Sequence, residues 1–153
     1  MKKMVLLTAV IFGFLMAATS QEITSKDGLF YKGNQLFTGE YTEYYADGAI
    51  KMHMNIKEGK EEGIVMIYFP DGSKKEQRSY KSGLKDGTWF TWDENQNLTA
   101  EANFKEGLKH GNWYVWDSNG NKRYQIFYEN GQKSGDWYMW DEHGNLAMER
   151  KYD

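Results

Sequence analysis

The sequence predicts an all-β protein, an elongated antiparallel β-meander of stacked hairpin repeats that forms a single-layer twisted sheet. Three observations carry this expectation. Glycine recurs at Gly39, Gly63, Gly87, Gly111 and Gly135, each step being 24 residues. The stretches between these glycines alternate apolar and polar residues with the period of two that strands require. Turn residues punctuate them at ADG, PDG, ENQ, SNG and EHG, and the single proline, Pro70, falls in one of those turns.

Taken in chain order, residues 1–20, MKKMVLLTAVIFGFLMAATS, have a basic start, an apolar run from Met4 to Ala18 and a small-residue exit. They read as a secretory signal peptide cleaved after Ser20, since the apolar run is short for a membrane anchor. The mature chain then begins at Gln21, is secreted or periplasmic, and is long enough for one domain with a modest core. Residues 21–34 read as an N-terminal cap or degenerate half repeat, with Gly33 two residues out of register. Five units fill residues 35–153, at about 35–58, 59–82, 83–106, 107–130 and 131–153. Partner glycines precede the first column by four residues at Gly59, Gly83, Gly107 and Gly131. A third column, Gly48, Gly72, Gly120 and Gly144, is interrupted by Gln96, where Asn95 or Asn97 is expected to take the left-handed conformation. The lysines inside GLKDG, GLKHG and GQKSG read as solvated turn residues.

Each unit holds two strands, for example TWFTW (88–92) and LTAEANF (98–104). Alternation places Leu98, Ala100, Ala102 and Phe104 on one side, as it does Lys122, Tyr124, Ile126 and Tyr128 in the next copy. Thr99, Glu101, Asn103 and Arg123, Gln125, Phe127 take the other side. A three-residue loop would set Trp92 opposite Leu98 and Phe90 opposite Ala100, so that the apolar residues of both strands share a face. The first tryptophan of each pair then points the other way. All six tryptophans fall into two columns, Trp89, Trp113, Trp137 and Trp92, Trp116, Trp140. The first two copies carry Tyr41 and Tyr44, then Val65 and Tyr68, in their place. A lone hairpin is marginal in water, so stacking is expected to bury each ring against its equivalent about 10 Å away across two strands.

Composition excludes several functions. The formal charge is −3, more negative still without Lys2 and Lys3, and the signs are mixed along the chain. Nucleic acids and anionic lipids reward concentrated Lys and Arg, so neither is an expected partner. There is no cysteine, which removes disulfides, thiol catalysis and N-terminal lipidation. An aromatic content of 16% argues against disorder. His53, His110 and His143 occupy three different repeat positions. The runs 93–97 and 117–121 begin like a calcium loop, but Leu98 or Lys122 holds its glycine position and Phe104 or Tyr128 its closing glutamate position. No enzyme, metal or cofactor is therefore expected. The candidate binding residues are Trp89, Trp113, Trp137, Trp92, Trp116, Trp140, Tyr114 and Tyr138. The face of Trp89, Trp113 and Trp137, with little else apolar on it, reads as a ridged platform for a protein or a sugar chain.

The glycine, aromatic and turn columns, GxxxGxW-x-x-W-D-x-N-G followed by an apolar strand ending in Y-K-x-G, resemble the MORN-repeat variant over about residues 35–153. More narrowly they are similar to the YwqK family antitoxins of bacterial toxin and antitoxin systems. The resemblance implies a non-enzymatic scaffold that occludes a protein partner, a toxin by that analogy, along its sheet. The alternative is an envelope carbohydrate- or choline-binding module that uses the tryptophan columns.

Overall fold

The computed structural model describes residues 22–152, so the expected signal peptide and its cleavage after Ser20 lie outside the described residues. Those residues form strands and turns with no helix. Three short strands, β1 (Ile23–Lys26), β2 (Leu29–Lys32) and β3 (Gln35–Leu36), make a small sheet of their own. The remainder is an open antiparallel meander of 12 strands. It contains β4 (Gly39–Tyr44), β5 (Ile50–Lys57), β6 (Lys60–Tyr68), β7 (Lys74–Lys81), β8 (Leu84–Lys85) and β9 (Gly87–Trp92). It continues through β10 (Leu98–Lys105), β11 (Leu108–Lys109), β12 (Gly111–Trp116), β13 (Lys122–Glu129), β14 (Gln132–Trp140) and β15 (Leu146–Tyr152). The long strands lie side by side in chain order, while β8 and β11, short lead-ins to β9 and β12, pair with β7 and β10.

Two kinds of turn alternate, and each is fixed by local chemistry. Between units lie two-residue turns such as Glu58-Gly59 (φ 51 and 78) and Asn130-Gly131 (φ 48 and 88). Two consecutive positive φ values define the type I′ turn, whose twist matches that of the flanking strands. The chain thus reverses at the first glycine of each GxxxG and the residue before it. These turns also stack on one another, because the amides of Gly59, Gly83, Gly107 and Gly131 donate to the carbonyls of Phe37, Glu61, Lys85 and Lys109 at 2.8 to 2.9 Å.

Within each unit a three-residue loop closes the hairpin. The Asp93 amide donates to Asn97 O and the Gln96 amide to Asp93 O, both at 3.0 Å, and the same pair of bonds recurs at 45–49, 69–73, 117–121 and 141–145. Gln96 itself adopts the left-handed conformation, at φ 64, which overturns the expectation that Asn95 or Asn97 would do so. Its carboxamide offsets the strain by gripping the backbone of the preceding unit: Nε2 donates to Lys74 O at 2.9 Å and Oε1 accepts from Lys74 N at 3.2 Å.

Beyond each loop the second strand carries one extra residue. Trp92 faces Leu98 as expected, but Thr99 is skipped, so Phe90 pairs with Glu101 and Trp89 with Ala102. Lys51, Lys75, Arg123 and Ala147 are skipped in the same way in the other units. A one-residue bulge exchanges the faces of everything beyond it. The expected pairing of Phe90 with Ala100 is therefore wrong. Ala100, Ala102 and Phe104 share a face with Trp89, and Tyr124, Ile126 and Tyr128 with Trp113, while Leu98 and Lys122 lie on the face of Trp92 and Trp116.

The core sits at the N-terminal end. Met54, Ile56 and Val65 are 2 to 3% exposed, with Phe30, Phe37, Tyr41, Met52, Ile67 and Tyr80 packed around them. The small sheet docks there through hydrogen bonds from Phe30 N to Gly59 O (2.8 Å) and from Gly59 N to Phe37 O (2.8 Å). Its Phe30 ring lies 5.3 Å from that of Tyr41.

Candidate functional site

The bulge after each loop aims the ring at the end of every second strand toward the first tryptophan column. The result is a ladder: Tyr80 to Trp89 at 5.3 Å, Trp89 to Phe104 at 4.9 Å, Phe104 to Trp113 at 5.1 Å and Trp113 to Tyr128 at 5.2 Å between centroids. The run of contacts ends at Tyr128, and Trp137 and Tyr152 form a separate, looser pair at 6.4 Å. Equivalent tryptophans do not meet across an empty gap, as expected from the sequence. Another ring stands between them, and this face is the more apolar one rather than the barer one. The indoles are anchored as well, since Trp89 Nε1 donates to Ser79 O and Trp113 Nε1 to Asn103 O, each at 2.9 Å. The corresponding Trp137 nitrogen is buried without a partner.

Each ladder step in the C-terminal half carries a cation. Lys85 Nζ lies 4.5 Å from the Trp89 centroid and 4.9 Å from that of Phe104. Lys109 sits 4.4 Å from Trp113 and 4.8 Å from Tyr128, and Lys133 4.5 Å from Trp137 and 5.5 Å from Tyr152. These are the lysines of GLKDG, GLKHG and GQKSG, and the expectation that they are merely solvated turn residues is corrected: they cover the rings. Among the described residues no carboxylate lies within ion-pair distance of any of the three. Arg150, with Lys133 behind it, holds the Tyr152 phenol below its ordinary range.

The opposite face carries the second column. Trp92, Trp116 and Trp140 each tilt against the aromatic residue two positions earlier: Phe90 at 5.8 Å, Tyr114 at 5.6 Å and Tyr138 at 5.8 Å. Glu101 lies between the first two pairs, Gln125 between the second and third, and Glu149 beside Tyr138. Lys122 reaches over Tyr114 (4.7 Å) and Trp140 (5.6 Å). Both tryptophan columns are half-buried, one on each side of the sheet. The predicted turn glycines sit where the chain bends. Gly48, Gly72, Gly120 and Gly144 close the three-residue loops; Gly39, Gly87 and Gly111 open β4, β9 and β12, while Gly63 and Gly135 lie inside β6 and β14, all five at positive φ.

This unit of two unequal turns, a bulge and a paired tryptophan motif matches a known repeat. The MORN repeat variant profile matches residues 37–58, 61–82, 85–106 and 109–132, more than half of the 153 residues. The chain belongs to the MORN repeat variant family. Beyond the matched MORN repeats, β14 and β15 form a further hairpin, with the Asp141 amide donating to Asn145 O at 2.9 Å as in the earlier loops. No curated protein matches the chain.

The carboxylates of the MORN turns are already spent on structure. Asp93 Oδ1 accepts from the amides of Asn95 (3.0 Å) and Asn97 (2.9 Å), and Oδ2 from Asn97 Nδ2 (3.1 Å). Asp117 and Asp141 repeat the arrangement. The Asn97 and Asn145 amides hold Asp93 and Asp141 below the ordinary carboxylate range. For Asp117 desolvation opposes the shift but is outweighed by the amides of Asn121 and Asn119. Among the described residues no cluster of His, Asp and Glu is placed to hold a metal ion. The histidines are separate: His53 bonds Thr42 at 3.1 Å, His143 lies on a loop beside Glu142 at 3.5 Å, and His110 enters β12 with Nδ1 unpartnered. Five open indentations of 190 to 380 Å³ are lined by turn and hairpin residues and by no tryptophan.

Two sets of residues were missed from the sequence, the ladder rings Tyr80, Phe104, Tyr128 and Tyr152 and the capping lysines Lys85, Lys109 and Lys133. Each set recurs at the 24-residue step, which is the signal that could have found them.

Proposed function

We propose that this protein is a non-enzymatic MORN-type scaffold, exported by residues 1–20, that binds a protein partner along its open sheet in the manner of an antitoxin or immunity protein. One observation carries the reading: the tryptophans, the rings beside them and the lysines above them recur from unit to unit along one face of the sheet. A repeated row recognises something long, whereas a reaction centre needs unlike groups converging on one point. The experiment is affinity capture from the envelope fraction with the mature domain at micromolar concentration, alongside fractionation of the producing cells. Retention of one partner in stoichiometric amount, with the protein itself outside the cytoplasm, is the expected result. Capture of no partner, or residence of the full chain in the cytoplasm, overturns the proposal.

A second reading rests on the face opposite the ladder. The pairs Phe90 and Trp92, Tyr114 and Trp116, and Tyr138 and Trp140 alternate with Glu101, Gln125 and Glu149, a combination of flat rings and hydrogen-bonding groups suited to a glycan or to choline. Titration of envelope glycans and choline against tryptophan fluorescence tests it. A signal unmoved in the wild type and in the Trp92→Ala and Trp116→Ala variants removes it.

A further inference from the structure

We infer that the ladder face recognises an acidic segment in the polyproline II conformation, with a carboxylate at every third residue, laid across the strands along Lys85, Lys109 and Lys133. This rests on the scaffold reading above and specifies the chemistry of its partner. Four observations lead to it.

The first is charge. The chain as a whole is acidic, at −3, yet three lysines at identical repeat positions project onto one face without a carboxylate partner among the described residues. Arg150 adds a fourth cation at the Trp137 step, 5.8 Å from its ring. Only Lys51 and Lys151 among the described lysines make an ion pair, so what sets these three apart is their alignment in one row over the same rings, and such a row of cations favours an anionic ligand.

The second is preorganisation. Each ammonium is held over two rings, at 4.4 to 4.5 Å from the tryptophan and 4.8 to 5.5 Å from its neighbour. A lysine pinned in this way loses less rotamer freedom on binding than a free one. The third is pitch. Successive lysines are one unit apart, which is two strands and therefore about 9.5 Å. Polyproline II has three residues per turn and rises about 9.3 Å per turn, so side chains at i, i+3 and i+6 recur at nearly the same interval. A β-strand presents residues on one side every ~6.8 Å and matches this row poorly.

The fourth decides between classes of ligand. Sugars stack on bare ring faces, and here the ammoniums already occupy the faces of the tryptophans. An anionic peptide meets the cations first and lays its proline rings against the flanking Tyr and Phe edges, the use to which aromatic-lined surfaces put polyproline II ligands elsewhere. Its preformed backbone has little ordering entropy to lose.

The test uses the mature domain and labelled peptides, read by fluorescence anisotropy. One peptide repeats Glu-Pro-Pro four times, and a second has the same composition with its glutamates in one block. The expected result is sub-millimolar binding of the first and about tenfold weaker binding of the second. Lys85→Gln, Lys109→Gln and Lys133→Gln each weaken the first about threefold, and the triple variant about 30-fold, as exposed ion pairs of ordinary strength would. A triple Lys→Met variant keeps the stems on the rings without the charge and gives the same loss, while circular dichroism confirms that the sheet is intact. Equal binding of the two peptides, undiminished binding by the triple variants, or binding of hyaluronan with no binding of either peptide overturns the inference. Where neither peptide binds but the triple Lys→Gln domain still retains a captured partner, this inference fails and the scaffold reading stands. Where no form of the domain retains a partner, it is the scaffold reading that fails.

Discussion

The two halves of this sheet share one backbone and solve the burial of its apolar face differently. In the N-terminal half the face is aliphatic, built on Met54, Ile56 and Val65, and the small sheet β1 to β3 lies against it. In the C-terminal half Trp89, Trp113 and Trp137 stand at the repeat position of Val65, and Tyr80, Phe104, Tyr128 and Tyr152 at that of Ile56; no second layer covers them among the described residues, and lysines take its place. A single-layer sheet exposes whatever it carries, so aliphatic side chains need a lid. An aromatic ladder does not, because its tilted rings bury one another and present a surface that a cation can cover. The difference separates a half whose apolar face is covered by a second layer from a half whose face is covered by its own lysines.

The largest expected effect is therefore in the covered half. Ile56→Ala, at a site 2% exposed, is expected to destabilise the domain by about 3 kcal/mol, through lost transfer energy and the cavity left behind. Trp113→Ala removes a larger side chain from a half-buried site and is expected to cost only about 2 kcal/mol, since part of its surface was never withdrawn from water. Urea unfolding of both variants measures the order. If Trp113→Ala proves the more destabilising, the ladder is the principal core and the comparison is inverted.

The type I′ turns allow the same comparison on the backbone. Gly59 and Gly131 occupy equivalent positions, at φ 78 and 88, so an alanine is strained at either. At Gly131 the new methyl meets only Leu108 Cδ2 at 3.7 Å, whereas at Gly59 it meets Leu36 Cδ2 at 2.7 Å and the Phe30 carbonyl at 3.1 Å. Gly131→Ala is expected to lower stability by about 1 kcal/mol, and Gly59→Ala by about 2 kcal/mol because the small sheet must also shift. Equal losses would mean that the β1 to β3 sheet contributes nothing to the fold of the first unit.

The repeat, the hairpins and the placement of the two tryptophan columns on opposite faces were legible in the sequence, because glycine spacing and period-two alternation are local signals. What was not legible follows from one residue per unit. Thr99 and Arg123 are ordinary strand residues, and nothing in their chemistry announces that the ladder skips them. Counting straight through them assigns Phe104 and Tyr128 to the wrong face, leaves the Trp89 column apparently bare and sends Lys85 and Lys109 to solvent. The bulge is a property of the three-residue loop closing against its neighbour, a tertiary event. Gln96 failed for the opposite reason. Its side chain holds a strained backbone by bonding Lys74, 22 residues away, and a local argument sees only the strain.

Acid acts on the loops of both halves through different neighbours. Asp71 is held below the ordinary carboxylate value of 3.8 first by the Ser73 hydroxyl, and Asp93 first by the Asn97 amide. Because their folded pKa values are depressed, these groups contribute stability that is present above the unfolded value and lost as pH falls through the lowered ones. Titration below pH 3.8 is thus expected to loosen the loops at 69–73, 93–97 and 141–145 while leaving them unchanged at higher pH. Amide chemical shifts of Ser73, Asn97 and Asn145 report it, and midpoints at or above 3.8 would show that the carboxylate bonds do not form in solution.

The smallest effect concerns a cap that three units have and one lacks. The turn amides of Glu58, Ser82 and Glu106 receive side-chain acceptors from Thr38 (2.9 Å), Glu62 (2.6 Å) and Asp86 (3.0 Å), each 20 residues earlier. The next position in the series is His110, whose Nδ1 is buried with no partner and so makes no such bond to Asn130. An unpaired buried nitrogen is a net loss, and a short carboxylate in its place restores the bond that Asp86 makes. His110→Asp is therefore expected to stabilise the domain by about 0.5 to 1 kcal/mol relative to His110→Ala, with the gain concentrated at the junction of β13 and β14 and visible as slower amide exchange at Asn130. If aspartate is no better than alanine there, the stacked turns are held by their glycine amides alone, and the side-chain caps of the first three units are incidental.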